Sequence, residues 1–268
     1  MRRRWVVPCL LIAVVAIMTL GGAGCHRPAD GAKPLIWAAD QEGGAPYVFK
    51  DPKDPNKIIG FEVEIAEAIS KELGRPIEFK QYEFSSLVPG LDREDFDFAM
   101  NGLEITPDRK VKLRFSRPYY VYRLQLVARA DEKRFNNLKE LQDLKEKMAG
   151  TLEDTAASRL LDKLVISKKI YSDSVAPYTD LELGRVDAVL QDLPIADALA
   201  KKNAKLKYVG EPVEPGYYAI AFNPKNEALA QQVDVALEKL IKDGTLRKIY
   251  EKWGLWNDDQ KELEKAKP

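Results

Sequence analysis

Short apolar segments alternate with segments of helical periodicity between residues 34 and 256, a pattern typical of β-α-β units around a mainly parallel sheet. The apolar run Leu35–Ala39 predicts the first strand. In Phe61–Leu73 every fourth residue is apolar, which predicts an amphipathic helix that ends at Gly74. We therefore expect the fold class to be α/β.

The same alternation continues to residue 253. Further strands are predicted at residues 77–82, 96–100, 124–129, 169–171, 186–191, 206–209 and 217–222, and a short one ends at 150–151. Further helices are predicted at 85–91, 138–145, from 155, 177–184, from 194, Glu227–Lys242 and 246–253. Because the pattern restarts at about residue 131, the body of the chain is expected to form two α/β lobes.

The N-terminus combines three arginines, an apolar run of 16 residues and a stretch of small residues before Cys25. A basic start, a short apolar run and small residues form a secretory signal peptide, predicted here at residues 1–24. The alternative is an uncleaved membrane anchor. The apolar run is, however, shorter than the roughly 20 residues that a spanning helix needs.

Cys25 follows Gly-Ala-Gly, which resembles a bacterial lipoprotein cleavage site where the new N-terminal cysteine is acylated. The departure is Gly22, where such signals usually have leucine. Acylation would also account for a single thiol in an oxidising compartment. Residues 25–33 are small, polar and turn-prone and are predicted to be a tether. The expected location is the periplasm or cell envelope, with a lipid anchor on Cys25.

Charge and residue counts exclude several classes of function. The chain has 42 Lys+Arg and 42 Asp+Glu, so no bulk positive charge favours nucleic acid. The only histidine is His26 and the only cysteines are Cys9 and Cys25. The body of the chain therefore lacks the residues for a Ser-His-Asp triad, a Cys-His pair or a zinc site of His and Cys. Neither G-x-G-x-x-G nor a P-loop occurs, and we expect no metal and no cofactor.

Five segments occur in one order along the chain and together resemble one family. They are G-F-E-V-E-I-A at 60–66, N-G-L-E-I-T-P-D-R at 101–109, F-S-R-P-Y at 115–119, G-R-V-D-A-V-L-Q-D at 184–192, and D-G-T to K-W-G at 243–254. With these segments the chain resembles the bacterial extracellular solute-binding proteins of family 3, which bind polar amino acids for ABC transporters. The resemblance covers about residues 34–256.

The resemblance implies a periplasmic-binding-protein-like type II fold, in which two α/β lobes are joined by two crossover strands. The lobes would close on a small molecule and deliver it to an ABC-transporter permease. Segments 124–129 and 209–217 are then the expected crossovers. Lobe 1 would comprise residues 34–127 and 214–258, lobe 2 residues 128–213, and the C-terminal tail residues 259–268.

In the first lobe, the resemblance places the ligand's carboxylate on Arg109. A guanidinium donates two parallel charge-assisted hydrogen bonds to a carboxylate, which lysine cannot do. The alternative is an exposed helix arginine within the charge run 108–110. Thr106 precedes Pro107, so it can cap a helix as well as contact the ligand. Gly102 belongs to the same predicted site.

In the second lobe, Thr151 and the amide of Leu152 lie at a predicted strand-to-helix junction, where free N–H groups favour an anion. The resemblance gives them the second contact to the carboxylate. Alternatively, Glu153 and Asp154 nearby only balance the helix dipole. Asp192 follows a strand at its carboxyl end, where α/β sheets place ligands, and matches the residue that takes the ligand's ammonium. Its alternative role is to cap the next helix.

Glu104 departs from the family pattern, because many relatives have Ser or Thr there to bond the same ammonium. A carboxylate in a closing cleft is costly unless it is paired, so we expect Glu104 to meet a cation on the ligand or a nearby arginine. Asp40 and Glu42 follow the first strand in a loop that is expected to form one wall. With Asp192 they make four acids near one cleft. This favours a ligand with an extra positive charge, although acids also occur in ordinary loops.

One side of the expected pocket lacks its usual aromatic residue. Gly43 and Gly44 stand where relatives often carry an aromatic lid. Tyr47 and Phe84 are the candidate replacements. The alternative for both is packing in the core.

Three classes of function fit this pattern. We expect a monomeric solute-binding protein for a polar or cationic amino acid, with no enzymatic activity. The second class is a dehydratase-type enzyme on the same scaffold, with Glu104 as a general acid. No histidine or cysteine is available in the body of the chain to assist it, and a signal peptide favours capture outside the cytoplasm. The third class is a ligand-binding partner of a membrane sensor.

Overall fold

The structure is a computed structural model that describes residues 33–266. The predicted signal peptide, Cys25 and most of the predicted tether lie outside the described residues. The strands are β1 (Leu35–Ala39), β2 (Phe49–Asp51), β3 (Asp54–Ile59), β4 (Ile77–Gln81), β5 (Phe98–Ala99), β6 (Arg114–Arg129), β7 (Met148–Leu152), β8 (Ser167–Tyr171), β9 (Ala188–Asp192) and β10 (Leu206–Phe222). The α-helices are α1 (Phe61–Leu73), α2 (Leu87–Asp92), α3 (Pro107–Lys112), α4 (Leu138–Asp143), α5 (Ala156–Lys163), α6 (Ala176–Glu182), α7 (Leu193–Leu199), α8 (Glu227–Lys242) and α9 (Thr245–Trp253).

Eight strands form one sheet in the order β4-β1-β5-β10-β6-β9-β7-β8, and β2 and β3 form a separate hairpin. The two long central strands, β6 and β10, run antiparallel to each other. On one side, β4, β1 and β5 are mutually parallel, and we call this side the first lobe. On the other side, β9, β7 and β8 are mutually parallel and form the second lobe. The prediction of two α/β lobes joined by two crossover strands is confirmed.

The two central strands belong to both lobes. The N-terminal part of β6 pairs only with β10, whereas Leu124–Ala128 also pairs with β9 of the second lobe. The pairing of β10 with β6 shifts register between Val209 and Val213 and again before Gly216, and two further shifts lie between Tyr218 and Ala221. The ladder is therefore irregular where the chain passes from one lobe to the other.

The helices cover the sheet with apolar faces, as the four-residue spacing predicts. In α1, Phe61, Ile65 and Ile69 are fully buried, and Gly74 ends the helix in the left-handed region at φ 61°. Gly60 directly precedes this helix, and a Cβ atom at that position would lie 1.9 Å from the carbonyl oxygen of Tyr47. Only glycine fits at this close approach of two backbone segments.

Three features differ from the predicted elements. Segment 124–129 is the end of a 16-residue strand, and segments 206–209 and 217–222 belong to one strand of 17 residues. The glycines and prolines between residues 210 and 216 suggest a turn. In the structure they lie within β10, where the pairing with β6 is irregular. The β2–β3 hairpin is absent from the prediction because prolines at 52 and 55 interrupt its pattern.

The residues predicted as a C-terminal tail contribute to the core in their first part. Asp258–Glu264 forms a 3₁₀ helix. The side-chain amide of Gln260 donates to the carbonyl of Val121 at 2.8 Å, and its oxygen accepts from the Val121 N–H at 2.9 Å. This segment is thereby held on β6. Within residues 33–266, no helix has the length and apolar character to cross a membrane.

Candidate functional site between the two lobes

A cavity of about 360 Å³ lies between the lobes, at the carboxyl ends of the parallel strands. Asp40 follows β1 and Gly102 follows β5, whereas Leu152, Tyr171 and Asp192 end β7, β8 and β9. Ligands of open α/β sheets bind at this edge because the loops that follow the strands meet there. Six of the ten predicted ligand contacts line the cavity: Asp40, Tyr47, Gly102, Glu104, Leu152 and Asp192. The other four, Glu42, Thr106, Arg109 and Thr151, lie outside its wall.

Carboxyl groups dominate the polar part of the cavity wall. The acidic residues of the wall are Asp40, Glu83, Glu104, Glu153 and Asp192. Among the residues that the structure describes, the wall includes no lysine or arginine. No group of three or more His, Cys, Asp or Glu in the described part of the chain is arranged to hold a metal ion. The described wall therefore carries acidic groups without a basic side chain.

Arg109 lies on α3, whose start is capped by Thr106. The Thr106 hydroxyl accepts the N–H of Arg109 at 3.3 Å, which gives Thr106 the capping role. The Arg109 side chain is buried rather than exposed. Its guanidinium donates to the carbonyl of Glu104 at 3.1 Å, to the Glu104 carboxylate, and to the carbonyl of Asp154 at 2.9 Å. Arg109 thus faces the cleft but lies behind Glu104.

Glu104 has two partners on opposite sides of the cleft. One carboxylate oxygen accepts from Arg109, and the other accepts the N–H of Ala156, the first residue of α5, at 2.6 Å. Arg159 of the same helix lies 3.8 Å from that second oxygen. The side chain is only 1% exposed. The sequence predicts that Glu104 meets either a cation on the ligand or a nearby arginine, and the structure shows the arginine, Arg109.

Asp192 is buried at the end of β9 and makes no side-chain cap to α7. Its carboxylate accepts from the hydroxyl of Tyr218, which lies 2.8 Å from the hydroxyl of Tyr47. Burial raises the pKa of Asp192 to about 8, and the negative charge of Glu104 acts in the same direction. A cation beside Asp192 would restore its ionised form.

The remaining predicted residues take supporting positions. Asp40 is 2% exposed, and its carboxylate accepts from the N–H groups of Glu42 and Phe84 and from the Gln81 amide. These bonds fix the wall loop. The side chain of Glu42 is exposed away from the cavity. Thr151 is fully buried, and its hydroxyl has no hydrogen-bond partner among the described residues.

Tyr47 contacts both the cavity and the hydrophobic core. It lines the cavity, and its ring also packs on Phe61 with the ring centres 5.3 Å apart. Phe84 also lines the cavity, and the guanidinium of Arg109 lies 5.8 Å above its ring. The aromatic side of the cavity is thus built from both candidates.

Two residues that support the site were not singled out from the sequence. Tyr218 lies in β10, and its hydroxyl donates to Asp192. The backbone of Tyr218 also pairs with that of Glu104, and this long-range pairing, which brings Tyr218 to the site, cannot be seen in the local sequence. Glu62 is fully buried and accepts from the Gly102 N–H at 2.7 Å and from the Tyr119 hydroxyl. Burial raises the pKa of Glu62 to about 7. The G-F-E-V-E segment marks Glu62 in the sequence, and its task is to position the Gly102 backbone.

Comparison with known proteins agrees with this geometry. Residues 35–255 match the model of the bacterial extracellular solute-binding proteins, family 3. The chain belongs to this family. One similar protein is the L-cystine-binding protein TcyJ of Escherichia coli strain K12, which is 34% identical over 254 residues, 91% of this chain and 94% of the relative.

Solved structures of similar proteins share the fold. An ancestral arginine-binding protein bound to arginine is 32% identical, with a TM-score of 0.76, and the match covers 82% of this chain and 97% of that one. The ancestral amino-acid-binding protein AncCDT-1, a precursor of cyclohexadienyl dehydratase, is 26% identical, with a TM-score of 0.74 and coverage of 82% and 94%. These family 3 similarities are to binding proteins.

Proposed function

We propose that this family 3 protein captures a cationic amino acid in the cleft between its lobes, outside the cytoplasm, and delivers it to an ABC-transporter permease. The observation that carries the proposal is the wall of five acidic residues without a lysine or arginine among the described residues. Of these five, Glu104 is paired with Arg109 and Asp40 is hydrogen-bonded within the wall loop, whereas Glu83, Glu153 and Asp192 have no cationic partner among the described residues. A positive side chain would pair with them.

Asp192 supports a ligand that carries a positively charged group. It is 8% exposed and has the Tyr218 hydroxyl as a donor, but no cationic partner within the described residues. A buried carboxylate without a counter-charge is costly, which is why its pKa is raised. The ligand's ammonium or guanidinium group would supply that counter-charge. The arginine-bound relative is consistent with such a ligand.

Closure of the lobes would couple capture to delivery. Glu104 bonds to Ala156, Arg109 bonds to Asp154, and the Ser174 hydroxyl donates to the Gly43 carbonyl, and each of these contacts joins one lobe to the other. The irregular pairing of β6 and β10 lies between the lobes, where a few residues can absorb a rotation. A ligand that touches both lobes favours the closed arrangement, which the permease would recognise.

We also propose that the protein binds its ligand without changing it, acts as a monomer, and is anchored in the cell envelope by a lipid on Cys25. The anchor rests on the sequence around Cys25 alone. Mass spectrometry of the protein isolated from its cells should find an acylated Cys25 at the N-terminus. A chain that retains Met1 would contradict the anchor without affecting the proposed capture.

A thermal-shift screen of the purified protein tests the capture directly. Arginine, lysine and ornithine should raise the melting temperature, since a ligand at about 100 times its dissociation constant adds about 2.7 kcal/mol to the stability. Glutamate should not. Asp192→Asn is the matched control, because it keeps the shape of the side chain and removes its charge. This variant should show a smaller rise in melting temperature with the same ligands. Mass spectrometry should recover the ligand unaltered, whereas a converted ligand would indicate an enzyme.

A further inference from the structure

The carboxylate of Glu104 has the partners that a ligand carboxylate needs. Arg109 donates to one oxygen and the Ala156 N–H donates to the other. One donor comes from each lobe, and both are directed at a carboxylate that is 1% exposed. A guanidinium and a backbone amide at a helix start are strong carboxylate donors.

The resemblance to the family implies that the ligand's carboxylate, and not that of Glu104, is bound by these donors. It places the ligand's carboxylate on Arg109 and on backbone groups of the second lobe. In this structure Arg109 lies outside the cavity wall, and Glu104 forms the wall in front of it. Two carboxylates cannot share this guanidinium without repulsion, because like charges in a poorly solvated cleft oppose each other.

We propose that Glu104 is an internal competitor for the α-carboxylate of the ligand and thereby sets the specificity of the cleft. An amino acid binds only by displacing Glu104 from Arg109 and Ala156. An amine or guanidine that lacks the α-carboxylate leaves Glu104 in place and avoids that cost. The cleft therefore binds a cationic amino acid less tightly than the same cation without its α-carboxylate.

The rest of the cavity agrees with this assignment. Its acidic wall offers counter-charges for cationic groups at Asp192 and Glu153, whereas its described lining offers no cationic side chain for a second carboxylate. With Glu104 in place, a carboxylate on the ligand would meet no cationic side chain of the described wall. The inference rests on the proposed capture of a cation in the cleft and specifies which cation is favoured.

Two ligands that differ only in the α-carboxylate test the inference. Calorimetric dissociation constants for arginine and for its decarboxylated counterpart, agmatine, should be measured with the wild-type protein and with Glu104→Thr. We expect the substitution to shift the ratio of the two dissociation constants at least tenfold in favour of arginine. Glu153→Gln is the matched control, because it removes a cavity charge that does not contact Arg109, and it should leave the ratio unchanged.

Acetate provides a second test that does not depend on the natural ligand. If Glu104 fills a carboxylate site, Glu104→Ala opens that site, and tens of millimolar acetate should raise the melting temperature of this variant but not of the wild type. The double variant with Arg109→Lys should lose the effect. If Glu104→Ala does not fold, the same acetate titration is made on Glu104→Thr.

The outcomes separate this inference from the proposed function. Acetate rescue without binding of arginine or agmatine would support the carboxylate site and contradict the proposed capture. Binding of both ligands with an unchanged ratio, or a parallel loss of both in Glu104→Thr, would overturn the inference and leave the capture intact. The parallel loss would mean that Glu104 contacts the ligand's cationic group instead.

Discussion

Binding of a cation beside Asp192 should release a proton, so the affinity for the ligand should rise with pH. Burial raises the pKa of Asp192 to about 8 in the protein, and only the ionised carboxylate pairs with a cation. With that pKa, about 1% of the side chain is ionised at pH 6 and about half at pH 8. The association constant of a cationic ligand should therefore increase at least about tenfold between these two pH values.

Calorimetry at pH 6, 7 and 8 in two buffers with different ionisation enthalpies measures both the affinity for the ligand and the number of protons released on binding. Wild-type protein should show the rise in affinity and the release of close to one proton at pH 6. Asp192→Asn should bind more weakly, with an affinity that is nearly independent of pH. An unchanged wild-type affinity with no proton release would refute the contact between Asp192 and the cation.

The same raised pKa predicts the opposite trend for the stability of the protein without ligand. The folded protein keeps a proton on Asp192 at pH values where the unfolded chain has lost it, since an ordinary aspartate has a pKa of about 3.9. The contribution is complete below about pH 4 and is lost as pH rises to about 8. Glu62, with its pKa raised to about 7, contributes in the same direction. Urea unfolding of wild type, Asp192→Asn and Glu62→Gln across this range separates the two groups.

Three further substitutions test individual contacts. Arg109→Lys should lower the free energy of unfolding by roughly 1.5–3 kcal/mol, because one ammonium nitrogen replaces the two guanidinium nitrogens that reach Glu104 and Asp154 separately. An unchanged urea midpoint would contradict those bonds. Tyr218→Phe should cost roughly 1–3 kcal/mol in the same assay and raise the pKa of Asp192 further, since the hydroxyl that stabilises its charge is lost. Gly60→Ala should prevent folding or cost more than about 4 kcal/mol, because its Cβ would overlap the Tyr47 carbonyl. Gly74 has φ 61° and open space around the position of a Cβ atom, so Gly74→Ala should lower the free energy of unfolding by only about 1–2 kcal/mol. Equal losses of stability at the two glycines would contradict the close approach at Gly60.

Local patterns were sufficient to predict the elements that carry their own signals. Phe61–Leu73 shows apolar spacing and a glycine stop, and the structure has this helix with the same bounds. The family motif also located residues on both sides of the cleft, because Asp192 ends and Gly102 closely follows a strand whose position was predicted.

The partners across the cleft could not be predicted, because they depend on how the lobes meet. Arg109 and Ala156 are 47 positions apart, and nothing in their local sequence shows that both donate to Glu104. The long strands were missed for a similar reason. Glycine and proline near residues 210–216 indicate a turn by local rules, whereas the pairing with β6 holds that segment in one strand.

The most direct test of the account is a calorimetric comparison of arginine with citrulline, its uncharged counterpart of nearly the same shape. Both carry the same α-amino and α-carboxylate groups, so Glu104 affects them alike and only the side-chain charge differs. The acidic cavity predicts that arginine binds the wild-type protein at least 100-fold more tightly, a difference of about 2.7 kcal/mol. Equal affinity for the two, or tighter binding of citrulline, would contradict capture of a cation in this cleft.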